Sequence, residues 1–309
     1  MKRSDRLARL VRAAARNGIV IPAFNVFYMP LIKPICDALK AHDTLGMVEI
    51  SRIEIQKFEV PSISAAAEEY RKYADPKVTA LHLDHIPVID EDGLEVNWHP
   101  LIEEGIQSGY DSVMIDASRL PFEENVEITA EVVRMAHTEG VLVEAELGSV
   151  LGHETGPLPP YEELFESKAG FTDPEQAREF VKRTNVDWLS VSVGSVHGAI
   201  AGAAKNEAKV EARLDIERIR QLRDATGVPL VLHGGSGIRL EYVREAIANG
   251  IAKINIATDI RQPYDRVLSS GGSIEEGQKV VFETISDIIV NRYGIQGSAS
   301  RLERLITSQ

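Results

Sequence analysis

Short, nearly continuous apolar runs rich in β-branched residues recur along the chain, and each gives way to a stretch whose apolar residues fall at helical spacing. Eight runs read as strands: IVIPAFNV (19–26), GMVEIS (46–51), VTALHLD (78–84), SVMID (112–116), VLVEAEL (141–147), WLSVSV (188–193), PLVLHG (229–234) and IAKINIA (251–257). Helices are predicted at 29–41, 62–75, 100–108, 123–139, 174–184, 214–226, 239–249 and 276–292. The start, MKRSDRLARLVRAAARNG, reads as a short N-terminal surface helix, basic and amphipathic. Alternation of strand and helix implies a parallel sheet, and strands without a polar face imply burial on both sides. Eight units in 309 residues predict an α/β fold, a closed (β/α)8 TIM barrel in a single domain covering 1–309. A doubly wound open sheet is the alternative, but the first strand lacks the G-x-G-x-x-G turn of a dinucleotide site.

Two connections are longer than a barrel needs. One is the insertion IPVIDEDGLEVNW (86–98); the other is GSVLGHETGPLPPYEELFESKAGF (148–171), a Gly- and Pro-punctuated flap after strand 5. Long loops at strand C-terminal ends are where barrel enzymes carry lids and catalytic groups.

Composition narrows the partners. With 34 Lys and Arg against 47 Asp and Glu, the net charge of −13 argues against broad nucleic-acid binding or adhesion to anionic lipid. An anionic substrate therefore needs a local positive device, such as a metal ion or a helix N-terminus. No apolar stretch approaches the roughly 18–20 residues of a membrane span, and the N-terminus lacks the apolar core of a secretory signal. The lone Cys36, among apolar positions of a predicted helix, reads as a small buried hydrophobe in a protein of a reducing, cytoplasmic compartment.

The histidines carry the first chemical signal. His82 and His85 close strand 3, His197 follows strand 6 and His233 closes strand 7, so a barrel would bring all four to its C-terminal face. His42, His99 and His137 read as surface residues. Three imidazoles from separate strands with a fourth position open describe a catalytic zinc site, and His85, His197 and His233 form the best trio. Asp84, beside His85, either passes protons or orients a ligand imidazole.

A second constellation lies in HGGSG after strand 7 and NIAT after strand 8. Glycines admit a close backbone approach, and amides leading into a helix N-terminus attract an anion, so these loops are the predicted phosphate site. Carboxylates complete the set. Asp116 and Glu146 suit a second cation or the ligand histidines, Glu144 suits the same work or a structural ion pair, and Glu154 on the flap suits a general base that enters on closure.

These motifs are ordered as in a known family. The sequence resembles the class II, zinc-dependent ketose-bisphosphate aldolases, fructose- and tagatose-bisphosphate aldolases among them. The resemblance runs nearly end to end, through PAFNV (22–26), HLDH (82–85), SVMIDAS and LPFEEN (112–125), VEAELG (143–148), FTDPEQAREFV (171–181), VGSVHG, HGGSGI (233–238) and KINIATDIR (253–261). It implies reversible cleavage of a ketose bisphosphate, fructose 1,6-bisphosphate or tagatose 1,6-bisphosphate, to dihydroxyacetone phosphate and glyceraldehyde 3-phosphate through a zinc-stabilised enediolate. It also implies one zinc ion per subunit held by His85, His197 and His233, with a monovalent cation as a further candidate. Asp84 then matches the catalytic proton donor and Glu154 the flap base, while Asp116 and Glu146 match auxiliary positions for a second cation. Substrate and phosphate contacts fall on Asn25, Ser51, Gly198, Gly234, Gly235, Ser236, Asn255, Ile256, Ala257 and Thr258. A homo-oligomer, dimer or tetramer, is implied as well.

The chain departs from the family pattern on the acceptor side. Ile86 follows HLDH where a Gly is usual, and the insertion runs on to Trp98; Arg119 stands where Gly-Ser-His is common; the flap lacks the usual Gly-Gly and paired acids; the Tyr-Lys usual after HG is missing. These changes motivate a variant reading, an aldolase for a different phosphorylated ketose or sugar acid. A noncatalytic partner subunit is disfavoured by the retention of Asp84 with all three histidines, and a zinc hydrolase by the two phosphate loops.

Overall fold

The computed structural model describes residues 3–149, 161–195 and 212–308. Strands β1 (Ile21–Asn25), β2 (Gly46–Ile50), β3 (Thr79–Pro87), β4 (Ser112–Asp116), β5 (Leu142–Leu147), β6 (Trp188–Val191), β7 (Leu230–Leu232) and β8 (Ile251–Ile256) pair in parallel in chain order. β8 closes on β1, with Lys253 opposite Ile21 and Asn255 opposite Ala23, giving the (β/α)8 TIM barrel that the alternation predicts. The helices are α1 (Arg3–Arg16), α2 (Ile32–Ala41), α3 (Arg52–Lys57), α4 (Ile63–Tyr73), α5 (Trp98–Gln107), α6 (Phe122–Glu139) and α7 (Tyr161–Ser167). After them come α8 (Pro174–Thr184), α9 (Ile216–Thr226), α10 (Leu240–Ala248), α11 (Thr258–Ser269), α12 (Ile274–Asp287) and α13 (Ser298–Thr307). None of the described helices is long and apolar enough to cross a membrane.

Alternation along the strands divides two kinds of buried position. Val48, Leu81, Leu83, Val143, Ala145, Leu189, Val191 and Ile254 belong to the apolar core, as strands covered by helices require. Glu49, His82, Glu144 and Lys253 alternate with them and are also buried. Lys253 on β8 contacts Glu49 on β2 and Glu144 on β5, strands that are not its neighbours, so these side chains meet through the lumen. The barrel is thus filled by a charged, hydrogen-bonded layer where branched apolar residues are the common filling.

Strand 3 departs from its predicted span. It runs to Pro87, past the expected end at Asp84, and Leu83 pairs with Val113 while Ile86 pairs with Ile115. Two residues, Asp84 and His85, therefore oppose the single Met114, which is a β-bulge; His85 takes a positive φ of 23° there. His82 consequently lies inside the barrel, fully buried against Ser112 Oγ at 2.7 Å, and is corrected from a rim residue to a lumen residue.

The 86–98 insertion, expected as a loop, folds into a short hairpin. Ile89 bridges Glu95 in antiparallel fashion, Val96 N donates to Val88 O at 2.9 Å, and the Asp90 carboxylate accepts from the backbone N–H of Asp92 and Leu94. Helices α3, α7, α11 and α13 were not anticipated by hydrophobic spacing. Of the expected surface histidines, His99 and His137 are exposed; His42 is instead half-buried, against Ser286 Oγ at 2.9 Å. Cys36 is fully buried in α2, and burial pushes its thiol up to about 12, as the packing reading expects.

Candidate active site

One cleft at the C-terminal mouth of the barrel collects Asp84, His85, Asp116, His233, Gly234, Gly235, Ser236, Asn255, Ala257 and Thr258 with Asn25 and Ser51. Strand-end placement explains the convergence, and the β3 bulge explains how consecutive residues 84 and 85 both reach it.

Two imidazoles face each other at its floor. His85 Nε2 lies 2.6 Å from His233 Nδ1, and the far nitrogen of each ring is held by a carboxylate: His85 Nδ1 by Asp116 Oδ2 at 3.3 Å, His233 Nε2 by Glu144 Oε1 at 2.8 Å. Carboxylates behind imidazoles fix ring orientation and raise basicity, which is the arrangement expected around a bound cation. Asp84, His85 and His233 bring ligand atoms within 4.8 Å of one another, and so do His85, Asp116 and Glu146. This donor set, imidazole backed by carboxylate, fits zinc. His197, Gly198 and Glu154 lie outside the described residues.

Electrostatics support the same reading. Burial and the adjacent Asp116 carboxylate push Glu146 up to about 8, a strain that a nearby cation relieves. Burial opposes charge on His85, yet Asp84, Asp116 and Glu146 outweigh it and raise that imidazole to about 10. Asp84 is buried too, but the surrounding His85, Lys253 and His233 hold it well below the usual carboxylate range. Its two oxygens accept from two asparagines, Oδ1 from Asn255 Nδ2 and Oδ2 from Asn25 Nδ2, each at 3.0 Å.

The loops after β7 and β8 bring Gly234, Gly235, Ser236, Asn255, Ala257 and Thr258 to one cleft, but not Ile256. A Cβ on Gly235 would collide with Ile254 Cγ2 and lie 2.7 Å from Asn255 O, so only glycine lets β7 and β8 approach this closely. Asp259 N, in the first turn of α11, lies 3.4 Å from Ser236 Oγ, which places a helix N-terminus beside both loops. Ile256 is packed into the apolar core and does not line the cleft, since it is the outward position of β8. Ser51 is the N-cap of α3 in a capping box with Glu54, its backbone N donating to Glu54 Oε2 at 2.5 Å.

Sequence reasoning missed Lys253, Glu49, Glu54, Arg52 and Arg261. Lys253 Nζ reaches Glu144 Oε2 at 3.0 Å and Glu49 Oε2 at 3.2 Å. Glu144 forms the structural ion pair, with Lys253 at 3.0 Å, and also accepts from Trp188 Nε1 at 2.7 Å and lies 2.8 Å from His233 Nε2.

Comparisons with known proteins bear on the family and the fold. The sequence model of the family described as fructose-bisphosphate aldolase class-II matches residues 5–299. The solved YdjI aldolase of Escherichia coli K12 superposes with TM-score 0.73 at 27% identity, over 95% of this chain and 98% of that one. A Coccidioides immitis protein provisionally described as a fructose-1,6-biphosphate aldolase gives 0.74 at 27% identity, over 98% and 100%. The fructose-bisphosphate aldolase of Campylobacter jejuni gives 0.73 over 96% of each chain, and at 20% identity this likeness shows the fold alone.

Proposed function

Because the chain belongs to the class-II fructose-bisphosphate aldolase family and is therefore a lyase of aldolase type, we propose that it cleaves a ketose bisphosphate with zinc at His85, His197 and His233. Fructose 1,6-bisphosphate and tagatose 1,6-bisphosphate are the first candidates, giving dihydroxyacetone phosphate and glyceraldehyde 3-phosphate. The observation that carries the reading is the pair of inward-facing nitrogens on His85 and His233, each ring braced by a carboxylate beside Asp84. When bound, zinc supplies Lewis-acid polarisation of the ketone oxygen.

The protein's own groups do the rest. Asp84, kept ionised and aimed by Asn25 and Asn255, takes the proton of the C4 hydroxyl as the C3–C4 bond breaks, and returns it to the aldehyde oxygen in condensation. The electron pair of that bond goes to the three-carbon half, whose carbon-bound proton is assigned to Glu154. Gly234 to Ser236 and Asn255 to Thr258 anchor the donor phosphate, so remote binding orients the reacting carbon. Asp116 and Glu146 brace the imidazoles and suit a second cation; a monovalent ion is a further candidate. The proposal extends to a homo-oligomeric, cytoplasmic enzyme.

The test is dihydroxyacetone phosphate release from both bisphosphates, with chelator, with zinc restored, and in Asp84→Ala. Chelator-sensitive release that disappears in the variant is expected. Release that survives both chelator and Asp84→Ala would overturn the zinc and Asp84 assignments.

A further inference from the structure

The barrel order fixes which loops face each other. In a closed ring of eight strands β3 and β4 lie across the mouth from β7 and β8, so the phosphate loops oppose the hairpin of residues 88–96 and Arg119. Asp84, His85 and His233 lie between them in the same cleft. A ligand held by phosphate at β7 and β8, with its reacting carbon over the histidines, must extend its far half toward the hairpin.

That far wall carries two arginines, Arg52 and Arg119. Arg119 Nη1 donates to the Asp90 backbone oxygen at 2.8 Å, and Arg52 Nη2 lies 3.4 Å from Asp90 Oδ2, so both arginines are tethered to one hairpin residue. The carboxylates nearby have partners of their own: Asp90 has Arg52 and two backbone N–H groups, Glu91 has Lys57, Asp116 has His85 and Ser118, and Glu54 has the Ser51 backbone N–H and Asn25 Nδ2. Among the described residues no carboxylate lies within 4.0 Å of the Arg119 guanidinium. Arg261, the third arginine lining the cleft, is bound to Asp265 at 2.9 Å and lies over the Phe27 and Phe58 rings. Arg119 and Arg52 therefore keep most of their N–H donors for a ligand, in the planar fork that matches carboxylate or phosphate oxygens.

We propose that this wall is the acceptor site, that Arg119 and Arg52 select an aldehyde carrying an anionic group, and that the 88–96 hairpin is their scaffold. The inference rests on the aldolase reading, which already gives a phosphorylated aldehyde, and adds which residues of this chain hold the aldehyde's anionic end. It also accounts for two features the phosphate and zinc motifs left unused, the insertion at 86–98 and Arg119 in MIDASR. Carboxylate and phosphate share the recognising chemistry, and the experiment separates them.

Zinc-loaded enzyme is assayed for condensation of dihydroxyacetone phosphate with neutral D-glyceraldehyde, with glyceraldehyde 3-phosphate and with the carboxylate-ended succinic semialdehyde. Wild type is compared with Arg119→Met, Arg119→Lys and Arg52→Met. An anionic acceptor is expected to exceed the neutral one at least about tenfold in kcat/KM. Either methionine variant is expected to cut that preference by about tenfold through the acceptor KM, with Arg119→Lys restoring part; the anion that loses more is the natural group. A neutral acceptor within about threefold of both anions, or Arg119→Met and Arg52→Met slowing all three acceptors alike, overturns the inference while the aldolase reading stands. Failure of wild type to consume dihydroxyacetone phosphate with any acceptor overturns both.

Discussion

Lys253 Nζ lies 2.7 Å from Asn255 Oδ1, in the lumen of the barrel beneath the cleft. An ammonium has only donors, so the amide must turn its oxygen toward Lys253 and its nitrogen toward Asp84, where Nδ2 donates to Oδ1 at 3.0 Å. The charge that sets the aim of Asp84 is thus buried one layer below the reacting groups.

Lys253→Met is expected to destabilise the protein by about 3–5 kcal/mol, because it leaves Glu144 buried beside no cation. Adding Glu144→Gln removes the stranded charge and should recover part of the loss, read by urea denaturation as a double-mutant cycle. A single-variant cost under about 1 kcal/mol would show that the pair is not ionised in the fold.

Glu144→Gln alone tests the brace on His233. Replacing the carboxylate that accepts from Nε2 is expected to weaken zinc binding about 10–100-fold, and Asp116→Asn should act similarly through His85. Competition with a fluorescent chelator measures both. Unchanged affinity in the two variants would separate these imidazoles from the metal.

The architecture was legible because each strand is a continuous β-branched run flanked by helical spacing, and the observed strands fall inside or within three residues of the predicted ones. His85 and His233 were legible for the same reason, since strand ends in a barrel share one face. What spacing does not encode is contact across the lumen. Nothing near Lys253 in IAKINIA says that a β8 lysine meets Glu49 of β2 and Glu144 of β5. The bulge at Asp84 and His85 was equally hidden, because it is a property of the pairing with β4. The hairpin is held by backbone hydrogen bonds together with two that the Asp90 carboxylate accepts, and its polar residues look like an ordinary loop in sequence.

Gly235→Ala should damage the donor side selectively. The added methyl must displace Ile254 or the Asn255 carbonyl, at an overpacking cost of about 1–3 kcal/mol. That shift moves the β7 loop against β8, so KM for dihydroxyacetone phosphate in condensation should rise more than KM for the aldehyde. Equal changes in both would place the phosphate elsewhere.

Glu54 makes stability depend on pH in a predictable direction. Burial raises its carboxyl from 4.5 to about 7, against the opposing hydrogen bonds from Ser51. A folded-state pKa above the unfolded one means that the fold binds the proton more tightly. The stabilisation is therefore complete below about pH 4.5 and is lost as pH rises to about 7, a difference of about 3 kcal/mol. Glu54→Gln removes the titration while glutamine can still serve the capping box with Ser51. Urea denaturation at pH 5 and pH 8 should show wild type losing about 3 kcal/mol relative to Glu54→Gln. A difference between the two proteins that stays flat across this range would mean that Glu54 is ionised in the fold at pH 5, and that water or a cation reaches its oxygens beside Asn25.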